Sequence, residues 1–137
     1  MTSAERLSST PYVTTTRGIK ISVWPAYDEN ASRPGNMLFV YSYTILIENT
    51  GKDMVQLLNR HWIIRDAFGH VEEVKGSGVI GKQPLLQPGE NFEYTSFCPI
   101  RTPSGSMEGS FEMRDSVNQK FEAPISRFEL KTISLEN

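Results

Sequence analysis

Met37-Leu38-Phe39-Val40-Tyr41-Ser42-Tyr43-Thr44-Ile45-Leu46-Ile47-Glu48 is the stretch on which the fold turns. Met37, Phe39, Tyr41, Tyr43, Ile45 and Ile47 fall on one side of a period of two, with Ser42, Thr44 and Glu48 on the other, the spacing of a strand that buries one face. The run is too short for a membrane-crossing helix, which needs about 20 apolar residues. Asn49-Thr50-Gly51 then supplies turn chemistry.

The same period extends in both directions. Upstream, Ile19, Ile21 and Val23 alternate with Lys20, Ser22 and Trp24. Downstream, Met54 to Asp66 sets Trp62 and Ile64 on one face, and Gly69 turns the chain into His70 to Lys75. Phe92 to Phe97 follows, then Ser106 to Arg114, where Met107, Phe111 and Met113 alternate with Glu108, Ser110, Glu112 and Arg114; Phe121 to Ala123 and Ile125 to Ile133 finish the chain. No window offers the i, i+3, i+4, i+7 spacing of a helix. Short strands between Asn/Gly, Pro/Gly and Ser/Gly turns predict an all-β chain, an antiparallel β-sandwich of about seven or more strands with fibronectin type III or immunoglobulin-like character. An up-and-down barrel is the rival. Leu86-Gln87-Pro88-Gly89-Glu90-Asn91-Phe92 favours the sandwich, because fibronectin-like domains often carry Leu-x-Pro-Gly followed three residues later by a corner tyrosine; Phe92 stands there and brings no hydroxyl.

A length of 137 residues suits one domain. Residues 1–11, rich in Ser, Thr, Glu and Arg and closed by Pro11, read as a flexible tail, and residues 12–137 as a single domain. Fourteen Lys and Arg against sixteen Asp and Glu leave a net charge of −2, which lacks the basic footprint of nucleic-acid binding. No segment reads as a signal peptide or membrane anchor. Cys98 is the single cysteine, so no internal disulfide forms and a cytoplasmic setting is expected.

Motifs that carry chemistry are few. Gly76-Ser77-Gly78-Val79-Ile80-Gly81 matches G-x-G-x-x-G, a pattern whose backbone N–H groups cradle phosphates when a helix follows. Lys82-Gln83-Pro84 follows instead and cannot start one. The favoured reading is that these glycines serve positive φ, a bulge or tight packing, while Gly76, Ser77, Gly78, Gly81 and Lys82 stay open as a loop for a nucleotide or pyrophosphate. His61 and His70 lack a metal-pair spacing; His70 with Glu72 on one strand face, Glu73 opposite, reads as a solvated surface rather than a metal site. Arg60, His61 and Arg65 are the candidate interaction surface, since guanidinium forks match carboxylates and phosphates. Cys98, in an apolar run before Pro99, reads as a small buried hydrophobe, not a nucleophile. Tyr41, Tyr43 and Trp24 read mainly as core. No catalytic constellation and no cofactor motif is present, so the expectation is a non-enzyme.

Several segments together closely resemble the ApaG family. They are Gln56 to Ile64, Gly76 to Pro84, Leu86 to Glu90, Tyr94-Thr95-Ser96, and Thr102-Pro103 through Gly105, Met107, Gly109 and Met113, and the resemblance spans roughly residues 12 to 133. It implies a fibronectin type III or immunoglobulin-like sandwich, found free-standing in bacteria and as an interaction module in some eukaryotic F-box and polymerase-interacting proteins. It further implies a protein partner, a link by gene neighbourhood to a diadenosine tetraphosphate hydrolase, and one by phenotype to magnesium and cobalt homeostasis. The family's glycine motif, considered for nucleotides or pyrophosphate, maps onto Gly76, Gly78 and Gly81. The sequence departs at Ser126, where many relatives have proline; at Asn118, which replaces a turn glycine and can adopt its left-handed conformation; and at Phe97, which replaces a small residue. A homodimer through an unprotected sheet edge is left open.

Overall fold

The computed structural model describes residues 10–132. Most of the expected tail, residues 1–9, lies outside the described residues, as does the end of the last expected strand beyond residue 132. Among the described residues nine strands form: β1 (Tyr12–Thr16), β2 (Ile19–Tyr27), β3 (Phe39–Asn49), β4 (Val55–Asp66), β5 (Val71–Ser77), β6 (Leu85–Leu86), β7 (Asn91–Ile100), β8 (Ser104–Asp115) and β9 (Lys120–Lys131). They pair antiparallel in two sheets, one ordered β1-β2-β3-β7 and the other β5-β4-β8-β9, with β6 against the start of β4. The chain is an antiparallel β-sandwich.

Alternation sets the core. Ile19, Ile21 and Val23 of β2 and Tyr41, Tyr43, Ile45 and Ile47 of β3 face Leu57, Trp62, Met107, Phe111, Met113, Phe128 and Leu130 of the second sheet, all buried. Trp62 is the hub: its ring meets Tyr43 at 5.4 Å, Phe128 at 6.0 Å and Phe111 at 6.3 Å, each edge-on, the arrangement that ring quadrupoles favour. Met37 departs from the expected register. Pro34–Asn36 forms a single 3-10 turn capped by Met37 in the left-handed region, at φ 54°, which leaves Met37 58% exposed and starts β3 at Phe39. The last two expected strands are one, β9, because Pro124 sits in an edge strand where a missing N–H breaks no ladder.

The two long sides of the sandwich differ. On one, β1 packs against β9: Tyr12 stacks on Phe128 at 6.1 Å, and the Thr14 and Ser126 hydroxyls meet at 2.6 Å. On the other, the edge strands β7 and β5 leave a slot between the sheets.

Candidate functional site

A bulge decides what faces that slot. Leu57 pairs with Met113 and Asn59 with Glu112, so Leu58 is an extra residue that resets the alternation of β4. Beyond it Arg60, Trp62 and Ile64 point between the sheets, while Asn59, His61 and Ile63 point out. Arg60 therefore does not stand on the surface as a free fork. It lies opposite Gly76 of β5, and its Nη1 donates to the carbonyls of Ser77 and Gly78, each at 3.0 Å.

From β3 and β7 come hydroxyls. Tyr43 and Ser96 are register partners, and Tyr94 lies two residues before Ser96 on the same face. Together with Arg60, Trp62 and the turn at Val79, Ile80 and Gly81 they line a pocket of about 200 Å³. An adjoining one of about 260 Å³ shares Tyr43, Arg60, Trp62 and Ser96 and is completed by Ile64, Glu72, Val74, Phe97, Cys98, Pro99 and Met107. The Tyr94 hydroxyl is fully buried and has no hydrogen-bond partner among the described residues. Burial pushes the Tyr94 hydroxyl well above the ordinary tyrosine range and raises that of Tyr43 too, with the Arg60 charge pulling both the other way. Both are neutral donors at physiological pH.

The glycine segment is a tight hairpin. Val79 and Lys82 exchange two backbone bonds, N–H to O at 2.8 and 2.9 Å, with Ile80 at φ 43° and Gly81 at φ 77° between them, both positive as a type I′ turn requires. The Gly78 amide donates to the Leu58 carbonyl at 2.8 Å. The amides of Gly78, Val79 and Lys82 are thus committed within the protein, and no helix follows.

A wider trough of about 580 Å³ lies on the outer face of the second sheet, over Asn59, His61, Lys75, Ser110, Glu112 and Glu122, and Arg60 and Gly76 border it, Arg60 lining the slot as well. Its polar groups largely answer one another: Asn59 donates to Glu112 at 2.7 Å, and Glu73 stands 3.1 Å from His61 Nε2 and 3.3 Å from Lys75 Nζ. Each of the two holds one buried polar atom without a hydrogen bond among the described residues, His61 Nε2 in the trough and the Tyr94 hydroxyl in the slot, and the slot is the more enclosed.

The sequence model of the ApaG domain matches residues 29–115. Protein ApaG of Paramagnetospirillum magneticum is 50% identical over 119 residues, 87% of this chain and 92% of that one, and Protein ApaG of Methylobacterium sp. is 48% identical over the same span. The chain belongs to the ApaG family. The crystal structure of the ApaA protein from Bordetella pertussis superposes with a TM-score of 0.81 at 42% identity, covering 90% of this chain and 97% of that one.

Within this ApaG sandwich the expected surface residues are scattered. Arg60 turns inward, His61 faces the outer trough, and Arg65 is in ion pair with Glu108 across β4 and β8. His70 precedes β5, its amide held by Asp66 Oδ1 at 2.9 Å, so it does not share a strand face with Glu72. Glu72 lines the slot and Glu73 faces out. Among the described residues no group of three or more His, Cys, Asp or Glu side chains is arranged to hold a metal ion, and no helix is long and apolar enough to cross a membrane. Residue-by-residue reading missed Tyr94 and Ser96 as site residues. The signal was there, since β7 puts a tyrosine, a serine and a cysteine in succession on its inward face, an unusually polar lining for a core strand.

Proposed function

We propose that this ApaG-family chain is a non-enzymatic binding module that recognises another protein. The observation that carries the reading is the outer face of the first sheet. Register brings Trp24, Thr44 and Thr95 into one row, Ala26, Ser42 and Phe97 into the next, and Val40 beside Pro99, so no charged side chain interrupts these rows. Phe97 stands 58% exposed at the edge of these rows, beside Trp24, Ser42 and Thr44, which are themselves buried. Depletion of charge around an exposed aromatic is the composition of an interface core. The magnesium and cobalt association then runs through the partner rather than through an ion held by this chain, and the exchange takes place in the cytoplasm.

A photo-crosslinking residue at position 97, compared in living cells with the same residue at position 122 on the opposite sheet, tests this. Discrete heavier adducts from position 97 alone support the module, and Phe97→Asp abolishes co-purification of the captured protein. Adducts equal at both positions, or none at position 97, overturn it.

A further inference from the structure

The geometry points to a carboxylate-binding pocket between the sheets, formed by Arg60, Tyr94, Tyr43 and Ser96. Its four residues are distinct from those of the interaction reading, though Phe97 and Pro99 line the adjoining part of the slot, and it uses none of the glycine-turn amides.

The first ground is the Tyr94 hydroxyl. The residue is 6% exposed, its oxygen is buried without a partner among the described residues, and it lines a pocket of about 200 Å³. A buried hydroxyl left unpaired is costly, so a native protein that keeps one commonly presents it to something that enters. The second ground is charge. Arg60 lines the same pocket, and no carboxylate of the described residues lies within ion-pair distance of it. Its Nη1 is taken up by the Ser77 and Gly78 carbonyls, which fixes the guanidinium plane against Gly76 and leaves the Nη2 edge for an acceptor. Tyr43 and Ser96 add hydroxyls on the opposing strand.

The number of charges selects the ligand. One guanidinium and neutral hydroxyls in a partly enclosed pocket balance one negative charge; a pyrophosphate or nucleotide would bring two or more and leave the excess desolvated. A carboxylate accepts two parallel bonds from Arg60 and a further one from Tyr94. Glu72, in the adjoining part of the slot, is the protein's own competing anion. A carboxylate reaches such a pocket as a free small acid or as the terminus of a peptide, and the experiment separates these sources.

The full chain is titrated at constant ionic strength with sodium acetate, a short peptide ending in a free carboxylate, the same peptide amidated, inorganic phosphate, pyrophosphate and chloride. The readout is the Trp62 indole N–H signal. Saturable shifts with acetate and with the free-ended peptide at similar concentrations identify a small-acid site; saturation by the free-ended peptide at concentrations at least tenfold lower identifies a chain terminus. In either case the amidated peptide and chloride give no saturation, Tyr94→Phe weakens binding about tenfold or more, and Glu72→Gln strengthens it. Tyr94→Phe removes one oxygen atom and keeps the packing, so it serves where Arg60→Met fails to fold. Saturation by phosphate or pyrophosphate alone, equal response to chloride, or binding unchanged in Tyr94→Phe overturns the assignment.

Discussion

Arg60 and Gly76 are register partners on β4 and β5, and a Cβ built on Gly76 would stand 2.6 Å from the Arg60 Nη2. The absence of a side chain at 76 is what lets the guanidinium lie across β5 and reach the carbonyls of Ser77 and Gly78. Gly76→Ala therefore displaces the guanidinium and removes both bonds. The expected cost is about 1–2 kcal/mol in urea unfolding, and it is coupled: in the Arg60→Met background the same alanine costs less. Additive costs in that double-mutant cycle would show that the two residues do not act together.

The other glycines of the segment separate by their surroundings. Gly78 sits at φ 64°, and a Cβ there would overlap the Lys82 carbonyl oxygen, a backbone atom that cannot swing aside. Gly81 also has positive φ, 77°, but a Cβ there meets nothing within 4 Å. Gly81→Ala carries only the left-handed penalty, about 1 kcal/mol, whereas Gly78→Ala costs about 3 kcal/mol or more because the turn must open. Calorimetry of the two variants checks the order. Equal losses would mean that backbone dihedral, not space, governs the turn.

What the sequence made legible follows from which forces act locally. Alternation in Phe39 to Ile47 and in Met107 to Met113 identifies the faces that meet in the core, and both are central strands of their sheets, although Ser42 and Thr44 on the polar side of the first are buried too. Asn118 adopts φ 63°, the left-handed angle expected of an asparagine standing for glycine. Arg60 stands two residues before Trp62, so period two already puts it on the face that Trp62 and Ile64 share; what was not legible is that Leu57 joins that face as well, which takes the bulge at Leu58, and two adjacent leucines give no sign of which is the extra residue. Met37 was misplaced for a local reason, since the turn at Pro34 to Asn36 outweighs one more apolar residue in register. The slot itself needs two strands far apart in sequence, β4 and β7, to meet across the sandwich, and alternation within each strand carries no information on that pairing.

Acid stability has an identifiable source in Asp115. Its Oδ1 accepts the amides of Gln119 at 2.9 Å and Val117 at 3.0 Å, and Arg17 Nη2 lies 3.3 Å from Oδ2. The Gln119 amide, then that of Val117 and the Arg17 charge, hold its carboxyl below the usual aspartate range. Lys75 does the same for Glu73. Between the folded and unfolded values the unfolded chain binds more protons, so the contribution is fully present above an unfolded value of about 4 and is lost as pH falls through the lower folded one. Urea midpoints measured from pH 6 downward are expected to fall below pH 4, and Asp115→Asn, which keeps an acceptor oxygen, flattens that limb. A limb unchanged by Asp115→Asn would assign it elsewhere.

Cys98 supplies a probe of slot opening. The thiol is 3% exposed and is pushed up to about 12, by burial first and by the nearby Glu72 second. At pH 8 the thiolate fraction is on the order of a thousandfold below that of an ordinary thiol, and although the more basic thiolate is the better nucleophile, native alkylation by iodoacetamide is slowed about tenfold or more, before access is counted. Glu72→Gln changes the rate little because burial is the larger cause, while denaturant restores ordinary reactivity along the same transition as tryptophan fluorescence. Because Cys98 shares its cavity with Arg60, Tyr43 and Ser96, residual native labelling reports how often β7 and β5 part. Rapid alkylation of the folded chain, with the same rate before and after unfolding, would mean that the slot stands open and that burial does not govern this thiol.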